Sequence, residues 1–504
     1  MASSKVWRAA SFASIGAFMF GFDTGSIGSI VIMDQFIQSG FKLSPTIQGV
    51  VVAMILITSS ISGMFSGFLA DKISRVYTMA LGAAIFCAGS MIECVSPNLA
   101  CILVGRGVAG VGEGFFLSII AVYCVEISPA VSRGRVTSII QIAVTVGIAV
   151  GFFCCYGTVH LNSSFAWRVP FLIQASLALL YAIGCPLFLS FSPRWLWMKG
   201  RTSEAEEIMQ YLHKRNHNDN TIHVEEWEIV GADAGERSRV RDIFRKDVRK
   251  RTILACFLMG MNQLSGIDGI LYYAPVLFSQ AGLSASTSKF LASGVSGLLN
   301  VFVTIVCTSF MDRMGRRIST IIGGITMGCI ICVIGSIYAS GADSGSGRWV
   351  IIVCLYLFLA AFGSTWALTT RVYASEIQPL HNRAAVSSIA NSCNQAVNTL
   401  VALTFPVFLS STATGPYWLF MGCLFTTSTI AWVYMPETKG RSLASIEQVF
   451  AGKAPGLTIV HTFVSKVTKV TNLDVKKQNK TEIQRNLNSP RRSVTCHVLS
   501  HMSP

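Results

Sequence analysis

Charged residues are scarce. Asp, Glu, Lys and Arg make up 13% of the 504 residues, where a soluble domain carries about a quarter. That shortage excludes a soluble enzyme and a disordered chain. Acids are scarcer than bases, 25 against 40, for a formal net charge of +15. The excess does not point to a nucleic-acid partner, because the bases fall mainly in short segments between long apolar runs, as membrane-flanking loops do. A GxxxxGK[ST] nucleotide loop is lacking, so ATP-driven pumping has no support. A metal-ligand pattern is lacking too. Cys329-Ile330-Ile331-Cys332 is a lone pair in an apolar run, and the 15 cysteines are scattered as small buried hydrophobes. No metal, no cofactor and no enzymatic chemistry is implied.

What the chain has instead is apolar length. Hydrophobic residues reach 52% and the mean hydropathy is +0.54. A spanning helix needs about 20 mostly apolar residues. Twelve such runs lie near 9–32, 47–69, 77–95, 99–123, 137–158, 169–190, 252–282, 290–310, 318–340, 349–373, 385–410 and 416–435. The start, Met1 to Arg8, has no cleavable signal pattern, so the first run is expected to stay as a helix. The fold class expected is an all-α membrane protein of twelve transmembrane helices. Its organisation reads as a six-helix bundle over 1–190, a cytosolic linker with short amphipathic helices over 191–251, a second bundle over 252–435 and a basic cytosolic tail over 436–504. The tail composition predicts disorder.

Loop charge sets the orientation. Lys72 and Arg75, Arg133 and Arg135, the linker, Arg313 with Arg316 and Arg317, and Arg383 all follow even-numbered helices. The positive-inside rule then places both termini in the cytosol. The sequon Asn162-Ser163-Ser164 falls outside on this topology, making Asn162 a candidate glycosylation site, whereas Asn479-Lys480-Thr481 falls in the tail.

The two bundles repeat each other. Asp71-Lys72-Ile73-Ser74-Arg75 is echoed by Asp312-Arg313-Met314-Gly315-Arg316, and Tyr123-Cys124-Val125-Glu126-Ile127-Ser128-Pro129 by Tyr373-Ala374-Ser375-Glu376-Ile377-Gln378-Pro379. A parallel repeat of six helices is a secondary-transporter pattern, with the solute bound near mid-membrane between the halves.

This punctuation resembles the major facilitator superfamily, and within it the sugar porter family, from about residue 12 to 450. Further marks are Gly21-Phe22-Asp23-Thr24-Gly25, Gly105-Arg106, Trp167-Arg168, Ser192-Pro193-Arg194-Trp195-Leu196, Gln263-Leu264-Ser265-Gly266, Tyr272-Tyr273 and Pro436-Glu437-Thr438-Lys439-Gly440. The wording is most similar to fungal members. The resemblance implies alternating access, with Arg75, Glu126 and Arg135 in one half and Asp312, Arg316, Glu376 and Arg383 in the other forming an inner gate that locks the halves together.

Asp23 lies inside an apolar helix, where a charge is costly and marks function by default. At 1.5 Å per residue it sits about 20 Å from the cytosolic face, and Arg106 about 12 Å from the outer face, so both share a level in a core of about 30 Å. A carboxylate and guanidinium that part and re-form would change proton affinity during transport. The resemblance implies the same, since an acid at the Asp23 position is similar to the proton-coupled members. Glu113 is a second intramembrane acid, either an auxiliary proton site or a lock on a backbone charge.

By resemblance, Gln141, Gln263, Asn300, Asn394 and Tyr272 belong to a sugar pocket. Asn262, Asp268, Arg371 and Gln395 stand there as departures. Arg371 replaces a tryptophan after Trp366-Ala367-Leu368-Thr369-Thr370, and Gln395 replaces another after Asn394, so both usual sugar-stacking rings are missing. Phe191 replaces an acid, and Ser74 and Val76 weaken the first-half loop motif. Three fates for Arg371 stay open: an ion pair with Asp268, a seat for a substrate carboxylate, or a rim position. The function expected is proton-coupled transport of a neutral pentose or hexose, or of a sugar acid, by a monomer in the plasma membrane. A facilitative carrier, a metabolite exporter and a transporter-like nutrient sensor are the alternatives.

Overall fold

The computed structural model describes residues 4–41, 43–129, 133–213, 246–282, 286–310, 315–342, 345–378 and 383–439. Among these the chain is helical, with no strand. The helices of the first half are α1 (Ser4–Ala13), α2 (Ile15–Ile30), α3 (Asp34–Gln38), α4 (Pro45–Ile73), α5 (Arg75–Val95), α6 (Leu99–Ile127), α7 (Arg133–Thr158) and α8 (Phe165–Phe188). Two short helices follow, α9 (Pro193–Met198) and α10 (Thr202–His213). The second half holds α11 (Lys246–Gln263), α12 (Ile267–Tyr272), α13 (Ala274–Gln280), α14 (Ser286–Phe310), α15 (Arg316–Ala339), α16 (Ser346–Glu376), α17 (Arg383–Ser411) and α18 (Gly415–Tyr434). Most of the linker, the tail beyond residue 439 and Asp312 lie outside the described residues, as does the side chain of Arg383.

The apolar order is that of a protein in lipid. Phe65, Phe68, Leu187, Phe188 and Phe302 are exposed on the outside, while Asp23, Arg106, Gln174 and Asn398 are buried inside. Backbone groups are satisfied within each helix, which hydrocarbon demands. Nine described stretches are long and apolar enough to cross a membrane. The other three of the twelve runs match α2, which has only 16 residues because the chain breaks at Ser14, and α17 and α18, whose Asn, Gln, Ser and Thr lower their hydropathy.

Two expected helices are divided. The first run splits at Ser14 into α1 and α2. The seventh, expected as one helix over 252–282, begins earlier, at Lys246, and becomes α11, α12 and α13. The first break has a local cause: Gly266 sits at φ +88°, which costs glycine nothing and other residues about 1–2 kcal/mol. Pro275 near the start of α13 cannot donate a backbone hydrogen bond and suits the second break.

The halves meet where α2 packs on α12, α4 on α17 and α7 on α14. Gly28 of α2 touches the backbone of Tyr272, so closely that a Cβ there would lie 1.5 Å from the Tyr272 carbonyl oxygen. This contact lies toward the end of the bundle where α2 ends and α4 begins.

Candidate transport pathway

The centre of the first half is an ion pair. Arg106 Nη1 lies 2.6 Å from Asp23 Oδ1, with Arg106 wholly buried and Asp23 3% exposed. The guanidinium also donates from Nε to the Val51 carbonyl at 3.2 Å and from Nη2 to that of Val52 at 3.4 Å. It therefore ties α2, α4 and α6 together. Depth arithmetic from the sequence placed these two residues at one level, and they are in contact. Gln174 of α8, which sequence reasoning missed, donates to Asp23 Oδ1 at 3.1 Å and to Ser26 Oγ at 3.4 Å. A buried pair with such further hydrogen bonds is tolerable, whereas either charge alone is very costly.

Amides gather in the second half beside the α11–α12 break. Asn262 donates to Thr370 Oγ1 at 3.0 Å, Gln263 to Asn394 Oδ1 at 3.1 Å, and Asn394 to the Met259 carbonyl at 2.7 Å. The Gln263 Oε1 atom is left without a partner. Asn398, one helical turn beyond Asn394 and not singled out in the sequence, is buried with no well-formed hydrogen bond on its amide, although Asp268 and Tyr272 lie beside it. The signal that could have found it is the spacing Asn391, Asn394, Asn398 along one face of α17. Asn300 of α14 is buried next to Gly363 of α16, and Gln395 lines a small recess between α17, α4 and α6. Tyr272 is buried at the contact with α2. Trp366 is no sugar platform: it is fully buried against α15, its Nε1 donating to the Thr320 carbonyl at 2.9 Å.

Of the three fates left open for Arg371, a direct salt bridge to Asp268 is not formed here, although each charge acts on the other across α12 and α16. It is exposed, and its Nη1 reaches across to the other half, donating to Gln141 Oε1 at 3.4 Å. An exposed arginine can be hydrated and needs no protein anion, whereas a dry one would.

Two ion pairs join described gate residues. Arg75 donates from Nε and Nη2 to both oxygens of Glu126, at 3.0 and 3.1 Å, and lies 2.8 Å from Asp71. Arg316 Nη2 donates to Glu376 Oε1 at 3.3 Å. Each pair therefore joins helices within one half and does not bridge the halves. The reason is proximity: α5 follows α4 directly at Ser74, so Arg75 faces the end of its neighbour α6. A hydroxyl completes each acid, since Ser192 Oγ donates to Glu126 at 2.5 Å and Thr438 Oγ1 to Glu376 at 2.6 Å. Glu437 accepts from the backbone N–H groups of Arg316 and Arg317 at 2.8 and 3.2 Å, capping α15. Arg135 is exposed in the first turn of α7. Asn162 is exposed in the turn before α8.

A membrane-buried helical body in two packed halves, with a buried ion pair in one and a cluster of buried amides in the other, has the layout of a secondary transporter. The family model described as "Sugar (and other) transporter" matches residues 9–450, and the chain belongs to that family. Among similar proteins, "Probable polyol transporter 3" of Arabidopsis thaliana is 30% identical over 88% of this chain and 91% of its own. "High-affinity glucose transporter 1" of Candida albicans is 28% identical over 90% and 87%. Among solved structures, that of the proton:xylose symporter XylE bound to 6-bromo-6-deoxy-D-glucose superposes with a TM-score of 0.75 at 23% identity, covering 89% of this chain and 99% of that one. A partially occluded, inward-open XylE from E. coli gives 0.73 at 22%, over 87% and 100%. The fold is that of the major facilitator superfamily.

Proposed function

We propose that the protein is a proton-coupled carrier of a monosaccharide or sugar acid, working by alternating access as a monomer in the plasma membrane, with both termini cytosolic. The observation that carries this is the Asp23–Arg106 pair at 2.6 Å. Protonating Asp23 releases Arg106 and loosens the tie between α2, α4 and α6, so proton binding acts on the helices that move. Intact, the pair holds them in place.

The solute binds between Gln141 and the second-half cluster of Asn262, Gln263, Asp268, Tyr272, Asn300, Asn394 and Gln395. The unpartnered Gln263 oxygen suits a ligand rich in hydroxyls, because a buried polar group without a partner is otherwise costly. Arg371, exposed where the pocket rings are missing, adds a planar bidentate seat for a carboxylate. Polyol and glucose transport by similar proteins supports the polyhydroxylated class. Arg75, Glu126, Arg316 and Glu376 bind the helix ends within each half, so that each half rocks as a unit. Arg135, Asp312 and Arg383 supply the remaining gate charges.

The test is radiolabelled uptake in a transporter-null yeast of glucose, xylose, arabinose, galacturonate and quinate, with and without a protonophore. Uphill accumulation of one of these that collapses with the protonophore supports the reading. Accumulation that survives, or no uptake of any of them, overturns it.

A further inference from the structure

Arg106 has more carboxyl groups around it than its charge can balance. Asp23 is its partner at 2.6 Å. Glu93, near the end of α5, is wholly buried, and both its carboxyl oxygens lack a hydrogen-bond partner. Its side chain lies directly against Gly105, the residue before Arg106: a Cβ on that glycine would be 2.7 Å from Glu93 Cγ. Glu113, also wholly buried with no well-formed hydrogen bond on its carboxyl, lies seven residues further along α6, about 10 Å away on the same face. At the end of α5, three residues beyond Glu93, Arg168 of α8 donates to the Ser96 carbonyl at 3.3 Å. From α4 no charge faces it, only the Val51 and Val52 carbonyls that Arg106 occupies.

One guanidinium cannot neutralise three buried carboxylates. An ionised carboxyl in hydrocarbon with no partner costs several kcal/mol, so the unpartnered Glu93 is protonated while Asp23 holds Arg106. We infer that Glu93 is a second proton site of the transporter and the alternative counter-ion of Arg106. When the Asp23 pairing opens, the proton on the Glu93 carboxyl passes to the Asp23 carboxylate, and Arg106 turns from Asp23 to the newly ionised Glu93. Charge is conserved, one O–H bond breaks and one forms, and Arg106 is never left bare. Glu93 lies on the outer side of Arg106 in the proposed topology, so it is refilled from the outside. This rests on the proton-coupled reading and adds the residue that delivers the proton.

The experiment compares Glu93→Gln, Glu93→Asp and Asp23→Asn in yeast cells, using a solute that the wild-type protein accumulates. Surface level, uphill accumulation, solute counterflow and the external pH giving half-maximal uptake are measured for each. Glu93→Gln is expected to keep surface level and counterflow while lowering uphill uptake at neutral pH about tenfold and moving the half-maximal pH about one unit toward acid, since delivery then depends on direct protonation of Asp23. Glu93→Asp restores most of the uptake. If Glu93→Gln keeps the wild-type accumulation and pH profile while Asp23→Asn loses accumulation, Glu93 is no proton site and the coupling reading survives. If Asp23→Asn accumulates like wild type, the coupling reading itself fails. Loss of surface level in Glu93→Gln without rescue by Glu93→Asp assigns Glu93 to structure alone and overturns the inference.

Discussion

Ser192 and Thr438 do the same work in opposite halves. Each places a hydroxyl on the acid that ends a long helix, Ser192 on Glu126 at 2.5 Å and Thr438 on Glu376 at 2.6 Å. Each acid already holds an arginine from a neighbouring helix, Arg75 or Arg316. The internal repeat therefore extends beyond the helices to the segments that leave each half, and both halves end in one three-residue clasp.

Removing either hydroxyl, by Ser192→Ala or Thr438→Ala, should lower stability by about 1.5–3 kcal/mol, a hydrogen bond to a charged group. Because the clasps lie in different halves and share no partner, the double variant should show the sum. Thermal unfolding in detergent checks this. A double variant no worse than the poorer single one would mean that the clasps are not independent.

Ser74 lies at φ +111° and accepts a hydrogen bond from the Val76 N–H at 3.2 Å. Its conformation costs a non-glycine residue about 1–2 kcal/mol, while replacing a serine cap by glycine costs only a few tenths. Ser74→Gly should therefore raise the melting temperature by a few degrees, and Ser74→Val should lower it. A lower melting temperature for Ser74→Gly would show that the cap outweighs the backbone strain.

How much of this was legible in the sequence divides along physical lines. Nine of the twelve expected spans are long and apolar enough among the described residues, and the level shared by Asp23 and Arg106 follows from counting 1.5 Å per residue in a slab of fixed thickness. Arg75 and Glu126 sit at matched helix ends, but which neighbour a side chain turns to depends on helix adjacency, which residue order does not carry. The choice among the three fates of Arg371 could not be made from residue order, because exposure and side-chain reach depend on packing. Glu93, two residues from the end of α5, looks like a surface residue until packing buries it, while Gln174 and Asn398 lie mid-helix among other polar residues and only packing shows which of them face inward.

Removing Arg106 strips the buried Asp23 of its counter-charge, whereas removing Asp23 leaves Arg106 to Glu93. Arg106→Ala should therefore cost about 3–5 kcal/mol, and Asp23→Ala less. The matched variant Asp23→Asn with Arg106→Gln should recover most of the stability but none of the uphill uptake. Melting temperature and uptake measured together separate the two roles. A matched variant as unstable as the single ones would contradict the pair's electrostatic account.

Arg371→Gln keeps a donor next to Gln141 but removes the charge. Uptake of galacturonate or quinate should fall at least about tenfold, the loss of roughly 1.4 kcal/mol of charge-assisted binding. Uptake of neutral sugars should change less than about threefold, since their amide contacts are untouched. An equal loss for both classes would place Arg371 in the conformational machinery.

The most direct measurement is proton flux in purified protein reconstituted into liposomes, read by an external pH indicator when an accumulated solute is added. Solute addition to the wild-type protein should alkalinise the medium, an effect abolished in Asp23→Asn while solute counterflow persists. Solute entry with no pH change in the wild type would contradict it.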